Sequence, residues 1–138
     1  VEFLEKAGYG HGGLPDRDYL TQMLTRVRQP VSRELHWRMS DDVLKDFAWI
    51  SVEKPVEGAE VHISCRDNRV EISGQGVDGV WVYLDDRLVD PDEAVILVVG
   101  DEEDEVYLEM EPESMARRMR AFGDPSLMFS AGFWVDLP

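Results

Sequence analysis

Three histidines, one cysteine and 29 carboxylates are the side chains here with acid–base or ligating chemistry to offer. His11 is the most suggestive of them. A short apolar alternation (Val1, Phe3) runs into Gly10-His-Gly-Gly13, and a helical pattern follows. A histidine on such a loop is a candidate general base, able to take a proton from a hydroxyl or thiol nucleophile. That chemistry needs a nucleophile within hydrogen-bond reach and a carboxylate to fix the imidazole tautomer. No Gly-x-Ser-x-Gly elbow occurs in the chain, so no nucleophile can be assigned. We therefore expect His11 to be catalytic only as part of a larger parent protein, and the isolated chain to be inactive.

The other candidates yield to simpler readings. His62 and Cys65 stand three apart in a strand pattern, so they point to opposite faces and cannot share a metal ion. His36 falls on an outward strand position, and both histidines read as structural. The residues show no zinc spacing, and neither a metal nor a cofactor is expected. Gly74-Gln-Gly-Val-Asp-Gly79 matches a dinucleotide fingerprint, but Val80-Trp-Val-Tyr-Leu84 follows it where a helix would be needed. It reads as a turn between strands. The acidic residues 101–105 and the group Asp85, Asp86, Asp90, Asp92 and Glu93 read as a solvated hairpin tip and a solvated turn. Calcium sites wrap spaced ligands around the ion, which five carboxylates in a row do not do. Trp81 and Tyr83 alternate with Val80, Val82 and Leu84. If those three fill the core, the two aromatics face outward and could stack on a sugar ring or a partner surface.

The elements that carry these residues follow from periodicity. Leu20, Met23, Leu24 and Val27 fall at i, i+3, i+4 and i+7, predicting a helix over residues 16–28 that ends before Pro30. From Ser32 the period becomes two. Leu35 and Trp37 mark a first strand, residues 47–53 a second with large residues on both faces, and Val61, Ile63 and Cys65 a third. Asp67-Asn68 is a tight-turn signal leading into Val70 and Ile72. Val80, Val82 and Leu84 follow, then residues 94–99, apolar enough for burial on both sides. Val106, Leu108 and Met110 form a half-wet strand. Met115, Met119 and Phe122 stripe a helix, with Ser114 as a possible N-cap and Gly123 as its stop. Arg117, Arg118 and Arg120 are placed on its exposed side. Ala131, Phe133 and Val135 close the chain. The expected core includes Leu35, Val61, Ile63, Val70, Ile72, Val82, Leu97, Leu108 and Phe133.

About eight short strands and one helix argue for a mostly-β, antiparallel β-sandwich with an N-terminal helical arm. Residues 1–31 would be a strand end, loop and helix of a preceding domain, and residues 32–138 the sandwich. The net charge of −15 is lopsided, about −2 over residues 1–58 and −13 over 59–138. Such a surface repels phosphate backbones, so nucleic acid is excluded as a partner. The longest apolar run, residues 94–99, is far below the ~20 residues a membrane helix needs, so a membrane partner is not expected either.

Taken in order, several segments carry a resemblance: His11, residues 16–28, Arg33-Glu-Leu-His-Trp37, Phe47-Ala-Trp-Ile50, Asn68-Arg-Val-Glu-Ile72, Leu84-Asp-Asp-Arg-Leu-Val-Asp90 and Gly123-Asp-Pro-Ser-Leu127. The set resembles the C-terminal part of bacterial esterase-like α/β hydrolases of the polyhydroxybutyrate-depolymerase-like or prolyl-oligopeptidase-like type. In those a small β-sandwich follows the catalytic domain. The chain departs at residues 101–105, where an Asn-Gly-type turn would be expected. The resemblance implies a non-catalytic accessory domain whose partner is the preceding hydrolase-like domain of the same polypeptide. The alternative is a carbohydrate- or polymer-binding sandwich using Trp81 and Tyr83.

Overall fold

The computed structural model describes residues 29–138, together with Leu20, Leu24 and Thr25. His11, and the helix expected over residues 16–28 apart from those three positions, lie outside the described residues.

Two open β-sheets, one α-helix and a short 3-10 turn (Pro125–Leu127) make up residues 29–138, so the mostly-β expectation holds. A five-stranded sheet runs in the order β1 (Glu34–Arg38), β4 (Glu60–Arg66), β5 (Arg69–Gln75), β7 (Val95–Val99), β8 (Glu102–Val106). A four-stranded sheet runs β2 (Asp46–Phe47), β3 (Ile50–Ser51), β6 (Gly79–Leu84), β9 (Ala131–Asp136). Strict alternation sets the inner face of the larger sheet. Leu35 and Trp37 are buried between exposed Glu34, His36 and Arg38, and Val61, Ile63 and Cys65 are buried in the same way on β4. These side chains and Ile50, Val80, Val82, Leu84 and Val135 of the smaller sheet belong to one apolar cluster. At about 25 cal/mol per Å² of apolar area removed from water, that cluster is the main force holding the two sheets in place.

Asp67 and Asn68 make the expected turn between β4 and β5. Both have positive φ, 47° and 56°, as a two-residue turn matched to strand twist requires. Arg66 and Arg69 flank them as register partners.

The sheets are not wholly antiparallel. β5 and β7 pair in parallel, with Val70 opposite Leu97 and Ile72 opposite Val99. The cause is topological: β6, in the other sheet, carries the chain back, so β7 re-enters in the direction of β5. Residues 47–53 do not form one strand. Ala48 adopts φ 48°, which folds the segment into a hairpin of β2 and β3. β7 is buried on one side only, through Val95 and Leu97. Of the acidic residues 101–105, all exposed as expected, only Asp101 belongs to a hairpin tip. Gly100 and Asp101 make the turn, and Glu102 to Glu105 are the edge strand β8 itself, exposed on both faces. Strand pairing ends at Val106, so Leu108 lies beyond it and is only half-buried, as is Phe133 on β9.

The helix α1 (Pro112–Phe122) ends at Gly123, whose φ of 61° is the left-handed C-terminal stop expected of it. Its start and its inner face differ from expectation. Glu111 occupies the N-cap position, and Ser114 and Arg118, one turn apart, are the residues buried against the smaller sheet. Gly132 permits this close approach, because a Cβ there would stand 2.7 Å from the Ser114 hydroxyl and 2.8 Å from the Tyr83 ring.

Candidate functional site

Trp81 and Tyr83 do lie on the side of β6 opposite Val80, Val82 and Leu84, but they form no open platform. Helix α1 covers them. Tyr83 is fully buried, its hydroxyl 3.1 Å from Ser51 Oγ. Trp81 is half-buried, edge-on to Trp134 at 6.0 Å and capped by the Arg117 guanidinium 4.5 Å from its ring centre. Periodicity places both residues on this face, but a helix thirty residues downstream decides that the face is closed.

What closes it is Arg118. Its side chain is fully buried and lies 4.5 Å over Tyr83 and 4.6 Å from Phe122. Nη1 donates to Asp46 Oδ1 at 2.8 Å, and Nη2 donates to the Ala48 carbonyl. Nε has no partner. Desolvation pushes the guanidinium below its usual range, and the Asp46 carboxylate opposes that shift.

A second bonded constellation joins segments that are far apart in the chain. Where the chain enters the first strand, the Ser32 carbonyl accepts from Trp49 Nε1 at 2.7 Å. Arg33 donates to the Leu88 carbonyl at 2.6 Å and to the Arg87 carbonyl at 2.9 Å. Cys65 Sγ donates to the same Leu88 oxygen at 3.4 Å. Burial raises the Cys65 thiol pKa, opposed by nearby Arg33, which disfavours a reactive thiolate. Asn68 and Asp90 bond reciprocally: Asn68 Nδ2 donates to the Asp90 carbonyl at 2.8 Å, and Asp90 N–H donates to Asn68 Oδ1 at 2.6 Å. Arg87 grips the Asp85 carboxylate and reaches the carbonyls of Ser126 and Met128, its charge 4.7 Å over Phe129. Asp85 is therefore a buried carboxylate held in a partly buried clamp, not part of a solvated turn.

The outer face of the larger sheet holds a third group. Register puts His36 directly opposite His62, and Glu60 two residues before His62 on the same face. The two imidazoles stack at 3.7 Å between ring centres. Glu60 Oε2 lies 3.5 Å from His36 Nε2 and 4.0 Å from His62 Nε2, while its other oxygen is 3.6 Å from Arg38 Nε. Read one strand at a time, the sequence treats each histidine as structural. Only the pairing of β1 with β4 reveals the trio, although the outward alternation of His36, Glu60 and His62 was visible beforehand.

Compared with family models, with curated proteins and with solved structures, the chain matches none.

Proposed function

We propose that residues 32–138 are a β-sandwich accessory domain, non-catalytic itself, attached to an α/β-hydrolase-like esterase or peptidase domain. One observation carries the reading: the segments that bear the resemblance to such hydrolases are bonded to one another. Ser32 and Arg33 hold Trp49, Arg87 and Leu88, and Asn68 holds Asp90. Residues scattered over four segments thus converge on the point where the chain enters the sheets. Fastening that point orients the module against whatever precedes it, which is what a packing or substrate-access domain needs. The carbohydrate-binding alternative loses its platform, since Tyr83 is buried and Arg117 occupies a face of Trp81.

The test has two arms. Purified chain is assayed with short-chain aryl esters, and turnover abolished by His11→Ala would overturn the non-catalytic assignment. The gene is then read upstream of Val1, where a strand–Gly-x-Ser-x-Gly–helix unit is expected. An upstream reading frame without such a unit would refute the hydrolase parentage.

A further inference from the structure

We propose that His36, Glu60 and His62 form a binding site for one divalent transition-metal ion of the zinc class, on the outer face of the larger sheet. The inference does not depend on the hydrolase parentage.

The backbone fixes the three positions. β1 and β4 pair over five residues, so His36 and His62 are held opposite each other and Glu60 beside them by the sheet itself. One donor atom from each residue lies within 4.8 Å of the others. Zinc binds imidazole nitrogen and carboxylate oxygen at about 2.0–2.2 Å, which needs donors roughly 3.3 Å apart. With the backbone held by the sheet, closing from the observed spacing falls to the side chains, which are about half exposed at His36 and His62 and about a third exposed at Glu60.

These atoms have little other work. Among the described residues, neither imidazole makes a hydrogen bond to another protein group, and both contacts to Glu60 are longer than a hydrogen bond. An exposed ion pair adds little stability and would need only one histidine. Instead both Nε2 atoms face one carboxylate oxygen, while Arg38 sits by the other. Arg38 can thereby orient the carboxylate without taking the donor oxygen, the role of an outer-shell partner.

The donor set selects the ion. Two imidazoles and one carboxylate suit zinc, nickel and copper, whereas calcium and magnesium prefer all-oxygen shells. Three protein ligands leave the solvent side for water.

The experiment is calorimetric titration of the full chain with zinc chloride in a non-chelating buffer, with circular dichroism confirming that each variant is folded. One zinc per chain is expected. His36→Gln and His62→Gln should each weaken binding on the order of tenfold or more. Asp104→Asn, on the acidic edge strand, and His11→Gln should leave affinity unchanged. Cobalt(II) should give visible absorption that Glu60→Gln alters. No saturable zinc binding, or equal affinity in His36→Gln and the parent, would overturn the proposal. So would loss of binding in Asp104→Asn alone, which would place the ion at the acidic edge.

Discussion

Arg118 and Asp46, separated by 72 residues, meet at 2.8 Å beneath helix α1, and the arginine of the pair is fully buried. Asp46 begins the β2–β3 hairpin and Ala48 turns it, so one guanidinium fastens the helix to both. The aromatic faces of Tyr83 and Phe122 line its sides, where a planar cation is attracted to the ring quadrupoles.

Removing that guanidinium should be among the costliest single changes in the domain. Arg118→Ala leaves Asp46 without its partner, frees the Ala48 carbonyl and opens a hole under the helix, a loss of about 3–5 kcal/mol. Arg118→Lys should rescue little of it, because an ammonium cannot donate along two directions of a planar fork. Urea unfolding of both variants measures this. A midpoint for Arg118→Lys equal to the parent's would show that charge alone suffices. Arg118→Met combined with Asp46→Leu should recover much of the loss, as hydrophobic replacement of a buried pair often does.

The core offers a sharper contrast. Leu84 is fully buried on β6, whereas Leu108 lies past the end of β8 and is half-buried. Leu84→Ala should cost ~2–5 kcal/mol by transfer and cavity terms together. Leu108→Ala should cost clearly less, since solvent already reaches the site. Denaturant midpoints decide it, and equal shifts for the two variants would mean that residues 107–111 pack more tightly than their burial indicates.

That contrast also marks how far the sequence can be read. Alternation at Leu35/Trp37, Val61/Ile63/Cys65 and Val80/Val82/Leu84 is a local signal, and each of those strands forms with the face expected. The Asp67-Asn68 turn is local too. The failures are all non-local. Period two continues through Val106, Leu108 and Met110, but pairing ends at Val106, because a strand persists only while a neighbour supplies its hydrogen bonds. Ala48 at positive φ carries no compositional warning, so a hairpin looked like one strand. Arg118 reads as a surface residue because its helix stripe is assigned to Met115, Met119 and Phe122. Only the packing of α1 on Gly132 and Tyr83 turns the arginine inward. The His36–Glu60–His62 trio is invisible for the same reason: strand register is not written within either strand.

The last prediction concerns β8. Glu102, Glu103, Asp104 and Glu105 sit on the free edge of the five-stranded sheet, one row of backbone groups paired to β7 and the other open. An open edge is a template for pairing with another chain, and charge along it is a standard defence. Four adjacent carboxylates repel an identical edge strongly at low salt, and the repulsion shortens to about 8 Å at ~0.15 M salt. Within the chain, only Glu103 has a cationic partner among the described residues, Arg69 at 2.8 Å. Replacing Glu102, Asp104 and Glu105 together by threonine, while keeping Glu103, removes the repulsion and raises β propensity. The triple variant should melt at the same or a higher temperature than the parent, because self-repulsion within the acidic half falls. It should also self-associate with rising concentration where the parent does so less, as sedimentation velocity would report. The parent should show a weaker form of both effects when sodium chloride is added, since screening imitates neutralisation. Sedimentation identical for the two proteins across the concentration range would show that the edge is protected by something other than its charge.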